Sequence, residues 1–440
     1  MADEPETTER RQLPAWFPEK SFKLERTRIE PATLRELLLK LLHLRGALRG
    51  LDLARALCLP FPLLEPELLG LKQQRLCTVV GGAGVGGYDN MDFAATDAGR
   101  ERAAEIIAAR PYVGPVPVAL EEYAASVEAQ SPGRVPVTRE RLREALEGMV
   151  LADELVDRLG AALTAGGPLL LHGEPGNGKT YLAEHLARLL TESAEGIFVP
   201  HAVSVDGQVI RLLDERVHRP VEPGEVAHER LEALRARLDD RWVYVRRPFV
   251  VSGGELELPM LDLVYRDTVK VHEAPFQLKA NGGLLLVDDL GRQRVEPRLL
   301  LNRWIYPLEK GVDYLTLTTG QKIAVPFRPL LVFSTNIEPA ALADEAFWRR
   351  IRYKVRLSDP DAAQYRRIFE AECARAGLSF DDPSFVHLLK EHYVKRERVR
   401  RACHPRDLVG HMRDYADFGG LERKMSVALV EQACATYFVD

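Results

Sequence analysis

The chain has 440 residues, 46% hydrophobic and 28% charged, with a formal net charge of −5. That length implies two or three domains, and the apolar share excludes wholesale disorder. The slight negative charge gives no global attraction to nucleic acid or to an anionic membrane.

Five scattered cysteines, Cys58, Cys77, Cys373, Cys403 and Cys434, show no C-x-x-C spacing. A disulfide framework or a zinc site is therefore not expected, and a reducing, cytoplasmic setting is. The acidic start, Met1 to Glu6, is not a signal peptide. No run approaches the roughly 18 apolar residues of a membrane span, so no membrane insertion is expected.

Residues 1–29 mix charges with prolines and read as a flexible tail. From Pro31, Leu34, Leu37, Leu38, Leu41 and Leu42 mark one helical face. Leu53 to Leu57 suggest a second helix and Leu63 to Leu71 a third. Leu76 to Val80 and Met91 to Ala95 then read as strands joined by a glycine-rich hairpin, Gly81 to Asn90. Thr96 is a good cap for a helix to about Ala109. The pattern over residues 30–110 resembles a winged helix. Its third helix opens with Glu65 and Glu67, and its wing tip carries Asp89 and no basic residue. Phosphate contacts need Lys and Arg, so docking to a protein is favoured over reading DNA.

Residues 111–137 hold Pro111, Pro115, Pro117, Pro132 and Pro136 and read as a proline-rich linker. Thr138 can cap a helix to about Gly148, and Leu155, Leu159 and Leu163 mark another. Leu169 to His172 form an apolar strand that runs into Gly173-Glu174-Pro175-Gly176-Asn177-Gly178-Lys179-Thr180. This matches G-x-x-x-x-G-K-[ST] at every fixed position, and Leu182, Leu186, Leu189 and Leu190 continue it as a helix. The glycines turn backbone N–H groups inward and the helix N-terminus adds positive charge. Lys179 can then reach β- and γ-phosphates, with the Thr180 hydroxyl on Mg²⁺. Tyr181, next along, is counted with the nucleotide contacts.

Ile197 to Val199 is expected as the second strand of the sheet. Residues 211–265 read as an insertion with a charged helix, Val226 to Leu238, and a glycine turn, Gly253-Gly254. Leu284 to Val287 end in Asp288-Asp289, which describes a buried parallel strand facing a ligand crevice. Asp288 is placed to hold Mg²⁺, and Asp289 to orient or deprotonate an attacking water. Leu330 to Thr335 deliver Asn336 beside Asp289. Arg292 and Arg303 lie near the carboxylate strand, where helix-surface pairing is the expected role and a trans-acting contact the alternative. The histidines show no H-E-x-x-H spacing, so catalytic zinc is not expected.

These residues resemble the AAA+ ATPases over Leu151 to about Val430. Gly173 to Thr180 corresponds to Walker A, Leu284 to Asp289 to Walker B, and Asn336 to the first sensor. Asp313 to Leu317 and Gln321 to Val325 flank Thr318-Thr319-Gly320, a hairpin similar to that of the pre-sensor group with its MoxR-like and helicase-loader branches. Phe347-Trp348-Arg349-Arg350-Ile351 resembles the arginine-finger segment, with Arg350 the first choice and Arg349 the second. His404-Pro405-Arg406-Asp407-Leu408 resembles the second-sensor motif, which makes Arg406 the sensor. The resemblance implies an α/β P-loop parallel-sheet sandwich over 138–358, a helical lid over 359–440, ATP and Mg²⁺ as cofactors, and a hexameric ring. It also implies a client protein docked through the N-terminal domain, with nucleic acid a disfavoured partner. The family has Asp-Glu where this chain has Asp288-Asp289, so slow hydrolysis is expected. The basic run Lys395 to Arg401 is read as a solvated or inter-subunit face.

Overall fold

The computed structural model describes residues 16–82, 87–192, 195–222, 235–266 and 271–439. The tail to residue 15, part of the expected wing tip and most of the expected helix Val226–Leu238 lie outside the described residues.

The N-terminal unit strings α1 (Pro31–Arg45), β1 (Leu48–Arg49), α2 (Gly50–Leu57), α3 (Phe61–Gln73), β2 (Cys77–Gly81), β3 (Asp92–Ala95) and α4 (Asp97–Ala109). The strands pair antiparallel in the order β1-β3-β2. The leucine stripe of α1 is buried as its spacing predicts, and Leu53, Leu64 and Phe93 close the same core. The Thr96 hydroxyl accepts from the Gly99 amide at 3.0 Å and caps α4. Lys40 is only 3% exposed and donates to the carbonyls of Arg110 and Tyr112 at 2.8 and 2.7 Å, which pins the chain as it leaves this unit.

The next stretch is not a bare linker. It forms β4 (Val118–Ala119) and α5 (Leu120–Ala129) before α6 (Arg139–Ala145) and α7 (Asp153–Ala165). β5 (Leu169–His172) and α8 (Lys179–Thr191) follow. Then come β6 (Ile197–Pro200), β7 (Ala202–Val205), β8 (Gln208–Arg211), β9 (Trp242–Val245), β10 (Phe249–Ser252), β11 (Val264–Arg266) and β12 (Val271–Glu273). β13 (Leu284–Val287), α9 (Pro297–Lys310), the hairpin β14 (Val312–Thr316) and β15 (Lys322–Pro326), β16 (Leu330–Thr335), α10 (Glu345–Trp348) and β17 (Tyr353–Arg356) complete the α/β part.

The central sheet is parallel, in the order β10-β13-β16-β5-β17. No residue of β13 or β16 named in the core is more than 1% exposed, as strands covered on both faces require. Alternate residues divide between the layers. Leu169, Leu171, Leu284, Leu286 and Val332 meet α7 and α8, whereas Leu170, Leu285, Leu331 and Phe333 meet Trp304 of α9 and Phe347 of α10. Each fully buried leucine contributes about 2 kcal/mol. Among the described residues no helix is long and apolar enough to cross a membrane.

The second strand of this sheet is β10, not Ile197–Val199. The latter belongs to β6, which pairs antiparallel with β9. The stretch taken as an insertion over 211–265 therefore contributes β10, an edge strand of the central sheet. A second sheet, β11-β12-β8-β7-β4, draws on both sides of α8 in sequence. Its core joins Tyr123 and Val127 of α5 to Phe198, Trp242, Leu315 and Val325. Residues 16 and 17 are held there too, with the Trp16 ring centroid 4.6 Å from that of Trp242 and Phe17 edge-on to Phe198. Beyond residue 15 the tail is thus anchored, because two aromatic side chains outweigh its polar composition.

The C-terminal unit packs α11 (Ala362–Ala376), α12 (Asp382–Leu388) with its π-helical continuation Leu389–Val394, α13 (His404–Gly419) and α14 (Val427–Tyr437). Tyr365, Phe369, Phe385, Met412 and Val430 form its core, and Asp361 with Gln364 makes a capping box at its start. The chain is thus an α/β fold, a parallel central sheet between helices, with a C-terminal helical unit.

Candidate functional site

At the C-terminal end of β5 the chain turns into the glycine loop. φ is +136° at Gly173, where a Cβ would stand 2.3 Å from the Leu357 carbonyl oxygen, so only glycine lets the loop close against the chain after β17. Gly178, at φ +80°, is the left-handed N-cap of α8 and frees that helix's first amides to face the loop. Lys179, 6% exposed, donates from Nζ to the carbonyls of Gly173 and Glu174, both at 2.9 Å. Burial holds its pKa below the usual lysine range, against the pull of Asp289 and Asp288. Those two carboxylates offset part of the burial that disfavours its charge.

Parallel pairing brings the ends of β13 and β16 beside this loop. Thr180 Oγ1 donates to Asp288 Oδ2 at 2.9 Å. Asp289 sits at φ +49°, a region that Asp enters more readily than most side chains, and its amide donates to Asp288 Oδ1 at 3.0 Å. Asn336 Nδ2 donates to Asp289 Oδ1 at 2.9 Å. Gln293 braces the turn from outside, giving Nε2 to the Asp288 and Asp289 carbonyls at 3.0 and 3.2 Å. On the inside, Thr335 Oγ1 donates to the Leu290 carbonyl at 2.7 Å. This donor set suits an anion held by amides and one ammonium, and beside it a hard divalent cation between a hydroxyl and a carboxylate.

The C-terminal unit reaches the same loop through Arg401, in the run that charge patterning assigned to a solvated or inter-subunit face, and through its neighbours. Arg401 donates to Asp359 Oδ1 at 2.6 Å and to Glu174 Oε2 at 3.2 Å. Asn177, 6% exposed, gives Nδ2 to Asp359 Oδ1 at 2.7 Å and accepts the Ala402 amide at 3.2 Å. The Cys403 amide donates to the Gly176 carbonyl at 2.8 Å. Arg398, in the same basic run, lies 3.6 Å above the Phe438 ring. The run is thus partly turned inward, since Glu174 and Asp359 offer it carboxylates that only the folded chain assembles.

Comparison with known proteins gives a short account. Residues 361–436, the lid, match a family model described as a domain of unknown function (DUF8689). Among solved structures, NtrX from Brucella abortus in complex with ATP is 13% identical and overlaps 66% of this chain and 59% of its own, with a TM-score of 0.38. Its complex with ADP overlaps at 14% identity, 66% and 56%, also with a TM-score of 0.38. The present chain thus spans less than two thirds of NtrX. The Thermotoga maritima RuvB Holliday junction branch migration motor is 12% identical, over 66% of this chain and 71% of its own, with a TM-score of 0.36. No curated protein matches the sequence.

The expected cradle residues, Gly173 to Thr180, and the expected carboxylates and amide, Asp288, Asp289 and Asn336, thus meet in one place. The expected arginines lie on other elements. Arg349 pairs with Glu345 at 3.3 Å and Arg350 with Glu309 at 3.2 Å, while Phe347, Trp348 and Ile351 around them are buried. Arg406, in the first turn of α13, pairs with Asp407 at 2.9 Å and is 68% exposed. Tyr181 faces outward on α8, its ring 4.2 Å from His185. Arg303 is occupied by Asp313, with NH2 to Oδ2 at 3.0 Å, a partner buried in the hairpin strand and not on the helix surface. Sequence reasoning missed Gln293, Asp359, Arg401, Ala402 and Cys403. The nearest signal for the last three was their position just ahead of His404-Pro405-Arg406.

Proposed function

We propose that the chain is a Mg²⁺–ATP-dependent ATPase of the AAA+ kind, working in the cytoplasm as a hexameric ring that remodels or activates a partner protein in the manner of MoxR-like chaperones. The observation that carries this reading is the Thr180–Asp288 bond beside the Asp289–Asn336 bond, a grouping that supports a cradle, cation ligands and a water-directing carboxylate at one crevice. Gly173 to Thr180 would wrap the phosphates of ATP, and Lys179 would turn its ammonium to the β- and γ-oxygens. Thr180 and Asp288 would hold Mg²⁺, which when bound offsets charge on those oxygens. Asp289 orients the attacking water and takes its proton, and Asn336 keeps that carboxylate aimed. Arg350 of an adjacent copy, with Arg349 as second choice, would complete the site from outside, an addition worth about 10³–10⁵ in rate. Arg406 would couple lid angle to the phosphates.

The N-terminal unit, read as a winged helix, would dock the client. Glu67 of its third helix is engaged by Arg35 at 3.0 Å, and Lys72 lies over Tyr88 at 6.0 Å, which supports a protein partner over DNA. The five thiols, all unpaired, support the cytoplasmic setting. Steady-state ATP hydrolysis by wild type, Lys179→Ala and Arg350→Ala, with sedimentation of each in ATP, tests the reading. Loss of turnover in both variants, with rings retained by Arg350→Ala, is expected; full turnover by either refutes it. A second reading, a slow nucleotide-sensing scaffold, draws on Asp289 itself, a short carboxylate tied to Asn336. Turnover that stays near zero in both wild type and Asp289→Glu, with ATP still bound, favours it.

A further inference from the structure

The lid carries a cluster with no part in the cradle. His387, at the end of α12, and His392, in the π-helical turn, both aim Nε2 at the same oxygen of Glu431 on α14, at 2.6 and 3.0 Å. All three donor atoms lie within 4.8 Å of one another. Residues five apart on an α-helix diverge by about 140°, so the pair could not face one partner in regular helix. The wider π turn over Leu389–Val394 carries an i→i+5 bond and brings them into line.

We propose that His387, His392 and Glu431 bind one divalent cation of the zinc class. Two imidazoles and a carboxylate form a three-ligand set that such ions take, with the remaining position left to water. Both Nε2 atoms face the carboxylate; to ligate an ion there, a neutral ring carries its proton on Nδ1 and a charged ring releases its Nε2 proton to water, which leaves the same three atoms as ligands. Bond lengths of about 2.0–2.2 Å would separate neighbouring donors by about 3.4 Å, a small opening from the distances above. Exposure grades outward, from 11% at His392 through 30% at His387 to 50% at Glu431, so the ion has an entry path and room for water. The ion would clasp α12 and its π turn to α14. The His392 carbonyl also accepts from Arg398 at 2.9 Å, so the clasp stands where the chain sets out toward Arg401 and the glycine loop.

The test is calorimetric titration of the full chain, stripped with EDTA, with ZnCl₂, repeated with Co²⁺ and read by visible absorption. One ion per chain at micromolar affinity and a zinc-dependent rise in Tm are expected. His387→Ala and Glu431→Gln, both exposed, should each weaken that affinity on the order of 100-fold or more, since even outer-shell losses cost 10–100-fold. Their circular dichroism and melting without metal report whether the lid still folds, and His411→Ala serves as the control with affinity unchanged. No stoichiometric uptake by wild type, or uptake undiminished in the His387→Ala/Glu431→Gln double variant, overturns the proposal.

Discussion

Thr180 Oγ1 lies 2.9 Å from Asp288 Oδ2, a hydrogen bond between residues 108 apart in sequence. It ties the first turn of α8 to the end of β13, and an ion held there would bridge the same two groups. Asp288→Ala is expected to abolish the Mg²⁺ dependence of ATP affinity while leaving metal-free binding within a few-fold. Fluorescent-nucleotide titrations with and without Mg²⁺ decide it, and an unchanged Mg²⁺ effect would remove Asp288 from the cation site.

Arg401, 22% exposed, spans Glu174 of the loop and Asp359 at the lid's root. Arg401→Ala should loosen the lid by about 1 kcal/mol, a partly screened pair being worth little more. Hydrogen exchange should accelerate over residues 359–403 and in the glycine loop. Arg406→Ala, whose partner is its own neighbour Asp407, should leave that exchange unaltered without nucleotide.

Asp313 is 1% exposed and Arg303 neutralises it. Arg303→Ala strands a buried charge between α9 and the hairpin, at a cost of about 3–5 kcal/mol. Pairing it with Asp313→Asn should restore much of that loss. Urea unfolding of the two variants compares them directly, and equal instability would show that the charge is not the cause.

His218, 2% exposed, accepts the Asp214 amide at Nδ1 and donates from Nε2 to the Lys279 carbonyl. Burial lowers its pKa to about 4, and His404 is lowered to about 4 for the same reason. The unfolded chain protonates near pH 6.5, so it binds protons that the folded chain refuses. The contribution is therefore complete above about pH 6.5 and is lost as pH falls toward 4, reaching about 3 kcal/mol for His218. Denaturation midpoints should drop between pH 7 and 5, and less so in His218→Gln, which keeps one donor and one acceptor.

Trp16 packs on Trp242 and Phe198. Trp16→Ala should cost about 2 kcal/mol, below the value for a fully buried tryptophan because Trp16 keeps part of its surface exposed. Tryptophan fluorescence during unfolding would show it, and a wild-type midpoint would mean that the tail's anchorage adds nothing.

The glycine loop and its flanking strand and helix were legible because everything that makes them is local: eight residues, an apolar run before and a leucine stripe behind. Strand partners were not. Ile197–Val199 and Phe249–Val251 are equally apolar short runs, and only long-range pairing sends one to β9 and the other to β13. Arg401 was hidden in a row of charges whose carboxylate partners stand 42 and 227 residues away. Tail and linker were misjudged by composition, which prolines and charges dominate although a few aromatic and apolar residues decide the packing.

Two of the four hydrogen bonds described between the C-terminal unit and the glycine loop use main-chain donors, the amides of Ala402 and Cys403. No side-chain replacement at those two positions can delete those donors, proline excepted. Mutation can reach those contacts only from the acceptor side, at the Asn177 amide, since the Gly176 acceptor is itself a carbonyl of the main chain.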